Sequence, residues 1–235
     1  MKHHGLKKLL PYFTIAIFLI IAILITHITG ALQLNIAANS FCRPGIREGT
    51  IIAISSWKKP ERNNYISFYE LPAGSTDHKS KGVLRLTGMP GDTIEIRNGD
   101  LFVNNQPADP QLDLIKEYSI SKQLSEKAIR LLRYQTMNRR IETSTDSVFL
   151  QLGRKELLKL ENEKIPTARR HLAAHMKSAF IAPLYKADWN NDHFGPYIVP
   201  AGHYFLLGDN RNDCRDSRHF GPLPAERLAG TVLNH

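Results

Sequence analysis

The chain has 235 residues with 31 Lys and Arg against 22 Asp and Glu, a formal net charge of +9, and only two cysteines, Cys42 and Cys214. The positive charge is spread along the chain and not gathered into one block, which favours an anionic membrane surface as a neighbour and gives weak support to nucleic acid. No internal repeat or low-complexity run occurs, and once an apolar amino-terminal segment is set aside about 200 residues remain, enough for one domain with a core and a large insertion.

Lys2, Lys7 and Lys8 precede residues 9–28, a run without formal charge. That run is long enough to cross a hydrocarbon layer as a helix with its backbone polar groups satisfied. Positive charge before the span places the amino terminus in the cytoplasm and the rest of the chain outside, where the two cysteines can form a lasting disulfide. The competing reading is a cleavable secretory signal, because Thr29, Gly30 and Ala31 supply small residues after the apolar run.

Residues 35–105 carry short runs of alternating apolar and polar positions at 50–55, 65–69, 82–87, 93–97 and 101–104, the chemistry of β-strands. Gly88-Met89-Pro90-Gly91-Asp92 is a turn, and Asn98-Gly99 joins two of the runs as a two-residue hairpin loop. From 106 to 194 the pattern changes to helix-spaced apolar residues, Leu124, Ala128, Leu131 and later Leu172, Met176, Phe180, among many Lys and Arg. This stretch reads as an inserted, α-rich cap, with Pro166 in the first turn of its last helix. His171 and His175 stand four apart on that helix, a metal-compatible spacing, but the intervening Leu-Ala-Ala lacks the Glu of a metalloprotease motif, which favours packing. β-character returns at 195–199 and 203–207 and leads into Gly208, the start of a charged loop. The organisation is therefore a cytoplasmic tail (1–8), a membrane anchor (9–34), a split β core (35–105 and 195–235) and the insertion (106–194).

The turn GMPGD at 88–92 and the loop GDNRNDCRDSR at 208–218, followed by Gly221 and Pro224, resemble in order and wording two sequence boxes of the bacterial type I signal peptidases, the S26 family of membrane-anchored serine endopeptidases. The resemblance implies a mainly β fold, an antiparallel core of the kind shared with self-cleaving LexA-like repressors, with one amino-terminal transmembrane helix and a partly helical insertion. It implies removal of signal peptides from exported proteins at the bacterial inner membrane, with the main domain periplasmic. The membrane, signal peptides or exported preproteins, and a membrane-protein partner are the partners it implies, with no nucleic acid, cofactor or metal. A self-cleaving repressor would need a DNA-binding module where the apolar segment stands.

The family chemistry needs a serine just after the membrane helix and a neutral lysine four residues before the first Gly of the second box, its pKa depressed by desolvation. In this sequence the first box reads Asn39-Ser40-Phe41-Cys42-Arg43-Pro44-Gly45. Aligned on Pro44, the nucleophile position holds Phe41, and counting back from Gly88 the base position holds Leu84. Neither has the required group, and Arg85, which follows, stays protonated. A displaced pair, Ser40 with Lys81, is the alternative; Lys81 stands an odd number of residues from Leu84, which points it to the other face of a strand. Cys42 beside Arg43 is a further candidate nucleophile. Cys214 stands where the family usually has a serine that orients the lysine, so Cys42 and Cys214 either bridge the two halves of the cleft or are independent small side chains. Arg85 with Asp209, and Asp216 with Arg218, occupy the family's ion-pair positions, and Arg211 lies among them as a further framework residue. A retained frame around Phe41 and Leu84 implies a cleft, including Asn39, Cys42, Pro44 and Cys214, that takes an extended peptide along a sheet edge without cutting it.

Overall fold

The computed structural model of the chain describes residues 4–29, 31–37, 44–47, 49–69, 81–134 and 139–234. It opens with helix α1, His4–Ile28, about 38 Å long at 1.5 Å per residue. From Tyr12 to Ile25 its side chains are exposed on every side, Phe18 at 79% and Ile23 at 66% among them. Among the described residues, none of the four apolar clusters includes a residue of α1. Among the described residues no helix is long and apolar enough to cross a membrane; on α1 the described side chains run from Tyr12 to Thr26.

The remainder is mainly β. Strands β1 (Gln33–Ile36), β2 (Ile51–Ser55), β3 (Tyr65–Tyr69), β4 (Lys81–Gly88), β5 (Thr93–Arg97), β6 (Asp100–Val103) and β7 (Gln106–Pro107) come first. Then follow β8 (Lys116–Ser121), α2 (Lys122–Leu132), β9 (Ile141–Thr143), β10 (Ser147–Leu152), α3 (Arg154–Asn162), β11 (Ala168–Arg169) and α4 (Ile181–Tyr185). The chain closes with β12 (Phe194–Ile198), β13 (His203–Leu207), α5 (Ser217–Phe220), β14 (Leu223–Pro224) and β15 (Leu228–Val232). Among the described residues three sheets result, ordered β1-β2-β15-β3-β4-β13-β14, β12-β5-β6-β7 and β11-β8-β10-β9. Their paired strands run antiparallel.

The seven-stranded sheet curls. In a flat sheet β1 and β4, four steps apart, would be separated by about 19 Å, yet Lys81 Nζ at the start of β4 donates to Gln33 Oε1 on β1 at 2.8 Å. Curling covers β4 on both faces, so its residues from Gly82 to Gly88 are all buried and the usual alternation vanishes. The faces are still distinct. Val83 joins Ala37, Ile46, Ile52, Ile54, Tyr65 and Val232 on one side, while Leu84 and Leu86 join Ile66, Phe68, Leu206 and Leu223 on the other. The β5–β6 loop is Asn98-Gly99 with φ of 50° and 70°, both central residues left-handed as a type I′ turn requires. A side chain on Gly99 would also stand 2.7 Å from Arg169 Nη2.

The stretch between β7 and β12 differs from an α-rich cap. It contains the four-stranded sheet β11-β8-β10-β9, and α2 and α3 pack on it around Ile120, Ala128, Leu132, Val148, Leu150 and Leu160. The spacing of Leu124, Ala128 and Leu131 does form a helix, α2. The spacing of Leu172, Met176 and Phe180 does not: Pro166 precedes the short strand β11, and the chain from 170 to 180 is irregular. The physical reason lies in its partners. The Asn190 amide donates to the carbonyls of Ala173 and Met176, and the Asp192 carboxylate accepts from the Leu172 N–H, so side chains from a distant loop satisfy backbone groups that a helix would pair internally. Met176 and Phe180 are exposed, and His171 and His175 share no helix face.

Candidate active site

The site is built where β4 and β13 pair, Leu207 opposite Arg85 and Leu206 opposite Leu86, and where the chain leaves β13 into residues 208–218. Arg85 reaches across that junction. Its Nε donates to Asp209 Oδ1 at 2.7 Å and its Nη2 to Oδ2 at 2.6 Å, the two-point geometry that makes Arg–carboxylate pairs strong. Its Nη1 donates to the Asn63 carbonyl at 2.9 Å. Tyr65, the cross-strand neighbour of Arg85, completes the network: its hydroxyl accepts from Arg85 Nη2 and donates to Asp209 Oδ2. The guanidinium lies 4.2 Å from the centre of the Tyr65 ring. Asp209 is wholly buried, so these bonds are what make a charge there tolerable.

A second buried pair stands at α5. Arg218 Nε and Nη2 donate to Asp216 Oδ1 and Oδ2 at 2.9 and 2.7 Å, and Asp216 also caps α5 by accepting from the Arg218 N–H at 3.1 Å. Arg218 Nη2 donates as well to the Arg211 carbonyl at 2.9 Å, and Nη1 to the Asn191 carbonyl at 3.2 Å. Burial alone would push the Asp216 carboxyl up; the Arg218 guanidinium, with His219 beside it, more than reverses this and holds it well below the usual carboxylate range. Arg211 joins neither pair. Its Nη2 donates to Asp109 Oδ1 at 2.6 Å, tying the loop to the start of the insertion.

The position expected to hold a lysine base is a packed apolar point. Leu84 is 1% exposed, and its cluster is bordered by Met89, Tyr204, Cys214, Phe220 and Leu228. Apart from Tyr204 and the half-buried Cys214, these are hydrocarbon and thioether side chains, so no ordinary base faces Leu84 from within the cluster. Lys81 projects from the opposite face of β4, where it bonds to Gln33 and lies 5.3 Å from the Tyr69 ring centre. Asn39, Ser40, Phe41 and Cys42 lie outside the described residues, and with them the Ser40/Lys81 pair and a Cys42–Cys214 bridge. The chain is described again at Pro44, half-buried, then Gly45 and the buried Ile46. Ala37 and Ile46, which flank that segment, both belong to the cluster of Val83 and Tyr65, on the Lys81 side of β4.

Three residues of this frame were not singled out by the sequence. Tyr65 lay inside a recognised strand, but alternation does not distinguish a packing tyrosine from one whose hydroxyl closes an ion pair. Asp109 stands in a turn at the start of the insertion, a hundred residues from its partner. Gly45 has a geometric reason: a Cβ there would sit 1.8 Å from the Tyr65 hydroxyl, so the first box packs directly on the Arg85–Asp209 network. Among the described residues no group of three or more His, Cys, Asp or Glu is placed to hold a metal ion.

The chain is 25% identical over 175 residues to the signal peptidase I of Rickettsia massiliae, covering 73% of this chain and 49% of that protein. To the signal peptidase I of Buchnera aphidicola it is 26% identical over 207 residues, covering 81% and 64%. To that of Streptococcus pneumoniae serotype 4 it is 25% identical over 189 residues, covering 80% and 73%. The chain thus spans about half the length of the rickettsial relative. A crystal structure of a signal peptidase I from Enterococcus faecalis aligns at 23% identity with a TM-score of 0.36, covering 76% of this chain and all of that one. The family model for signal peptidase, peptidase S26, matches residues 7–234, nearly the whole chain, and the protein belongs to that family.

Proposed function

We propose that this chain is a membrane-anchored signal peptidase I family protein that binds signal peptides or exported preproteins without cutting them. The observation that carries the reading is Leu84, buried against apolar neighbours and beside Cys214, at the position where the family's lysine base is expected. Serine attack requires a group to take the hydroxyl proton, and a leucine takes none. The frame pairs Arg85–Asp209 and Asp216–Arg218 keep the cleft's shape, so an extended peptide could still lie along the sheet edge. In this reading α1 anchors the chain in the inner membrane with its amino terminus cytoplasmic and the β core periplasmic, alongside a membrane-protein partner. Its exposed apolar side chains from Tyr12 to Ile25, with Lys2, Lys7 and Lys8 ahead of them in the sequence, support that placement.

The test is incubation of the detergent-solubilised protein with a preprotein, scored for cleavage and for co-purification. Retention of the intact preprotein without processed product is expected. Processing that disappears in both Ser40→Ala and Lys81→Ala would overturn the reading in favour of an active peptidase with a displaced dyad. That second reading draws support from one feature: Ala37 and Ile46, which flank Ser40, pack on the Lys81 side of β4.

A further inference from the structure

The outward face of the strands nearest α1 is apolar. Leu34 of β1 stands opposite Ala53 of β2, and Ile36 opposite Ile51. The Leu233 N–H donates to the Ala53 carbonyl at 2.8 Å, which carries the β15–β2 pairing one step further. The alternate residues Ile52, Ile54 and Val232 belong to a buried cluster, so Leu34, Ile36, Ile51 and Leu233 turn the other way. Leu34 is 70% exposed, Ile36 68% and Ile51 60%. With about 4.8 Å between strands and about 7 Å between alternate residues, these side chains form one patch and not scattered points. On β1 the usual pattern is inverted. Half-buried Gln33 is bonded to Lys81 Nζ, and Asn35 turns inward with its amide nitrogen buried and without a partner among the described residues. A strand facing water takes the opposite pattern, since a slip of one residue would bury both aliphatic side chains and free both amides. Keeping Leu34 and Ile36 outside at the expense of a buried amide is favourable where the outside is itself apolar.

Two features identify the medium outside. β1 begins at Gln33, directly after α1 ends at Ile28, and the Leu32 N–H donates to the Thr26 carbonyl at 3.3 Å, so the patch continues from the exposed apolar surface of α1. The end of β2 beside that junction leads into Trp57, 69% exposed. Ser55 Oγ accepts from the Trp57 and Lys58 N–H groups, and Thr231 Oγ1 donates to the Lys58 carbonyl. Ser55 and Thr231 are paired and point outward by alternation, so this loop lies on the patch side of the sheet. An indole beside lysines suits the headgroup level of a bilayer, where the ring sits between water and acyl chains and lysine stems lie on apolar surface with their ammonium groups in water. Lys58 and Lys59 have Glu61 close by in sequence, and Arg62 is held by Asp92, so the loop carries little net charge and a zwitterionic lipid suffices. We infer that the outward face of β1, β2 and the end of β15 lies on the lipid surface beside α1, with Trp57 at headgroup level. The inference rests on the reading of α1 as a membrane anchor.

The test uses the full chain in phosphatidylcholine nanodiscs, made either with ordinary acyl chains or with chains brominated near the carbonyl end, because bromine quenches indole fluorescence on contact. The chain has two tryptophans. Trp189 packs against the buried cluster of Phe194 and Phe205, and the difference between the parent and Trp57→Phe isolates the Trp57 emission. That emission is expected to fall about twofold or more in the brominated discs, as for an indole at headgroup level, while the Trp189 emission is unchanged. The triple variant Leu34→Ser, Ile36→Ser, Ile51→Ser, altered only at exposed positions and checked by circular dichroism, is expected to lose most of the quenching while still co-eluting with the discs. Leu34→Ser alone is the milder variant and is expected to lose part of it. A parent chain that co-elutes with the discs but shows equal Trp57 emission in both would overturn the docking and leave the anchor standing. A chain that does not co-elute would overturn the anchor and the docking together. Folded variants quenched like the parent would overturn the assignment of the patch.

Discussion

Asp216→Asn is the most direct probe of the frame, because it changes one oxygen to an amide nitrogen and little else. Arg218 is the largest fully buried side chain, 1% exposed, and the substitution removes its counter-charge. The new amide would also turn a donor toward Arg218 Nη2 and toward the Gly208 N–H, which lie 2.7 and 3.2 Å from Asp216 Oδ2. What remains for the guanidinium is the retained Oδ1 of residue 216 and the carbonyls of Arg211 and Asn191. Removing one partner of a buried pair costs about 3–5 kcal/mol, and for a chain of this size each kcal/mol moves the melting temperature by about 2–4 °C. The expected loss is therefore about 6–20 °C, measured by circular dichroism at pH 7. Acidity supplies a second readout. The folded carboxyl titrates well below the ordinary Asp value, so its contribution is fully present above about pH 4 and is lost as pH falls below that value toward the folded one. The parent protein should lose stability in that acidic range by a component that Asp216→Asn lacks. A substitution costing under about 1 kcal/mol, or a variant with unchanged acid sensitivity, would refute the claim that this pair holds the loop.

Other substitutions separate the remaining parts of the argument. Leu84→Lys places an amine in the apolar cluster; it should destabilise by about 3 kcal/mol at neutral pH, equivalent to roughly two units of pKa depression. Because the unfolded state then binds the proton more readily than the folded state, the deficit should shrink as pH rises toward 10, followed by urea melts at several pH values. Gly45→Ala drives a methyl to 1.8 Å from the Tyr65 hydroxyl. It should cost about 1.5–3 kcal/mol through loss of the bond to the Asp209 carboxylate, and the double variant with Tyr65→Phe should cost less than the sum. Gly99→Ala, at φ +70° and against Arg169, should lower stability by about 1–2 kcal/mol, whereas Asn98→Gly should be tolerated, both read from urea midpoints.

How far the sequence revealed this protein depended on whether the determining interactions were local. The Asn98-Gly99 turn was legible because a two-residue hairpin demands two left-handed residues, and those residues stand in the chain next to the strands they join. α2 was legible because its apolar stripe faces a single surface. The sheet formed by β8, β9, β10 and β11 was not: four of the six residues of β8 are half-buried, which erases alternation. The stretch from 170 to 180 has helical spacing but gives its backbone groups to Asn190 and Asp192, and no local pattern can announce partners twenty residues away. The candidate site divides the same way. Arg85, Asp209, Asp216 and Arg218 were visible through the wording of two boxes, while Tyr65, Asp109 and the reason for Gly45 required distances in space.

The geometry of β4 separates two packing roles. Arg85 and Leu84 are adjacent in sequence and so face opposite sides of the strand: Arg85 turns to Tyr65 and Asp209, Leu84 to Ile66, Leu206 and the Cys214 border. Exchanging the residue at 84 therefore leaves the ion pair at 85 untouched, and a leucine there extends the apolar cluster that its neighbours already form. The converse does not hold. Loss of Arg85 would strand a fully buried Asp209 with a tyrosine hydroxyl as its remaining side-chain partner, at a cost of several kcal/mol. Selection for folding alone is thus enough to preserve the motif residues of β4 and of 208–218. Their burial and pairing therefore follow from folding, whatever side chain stands on the other face of β4.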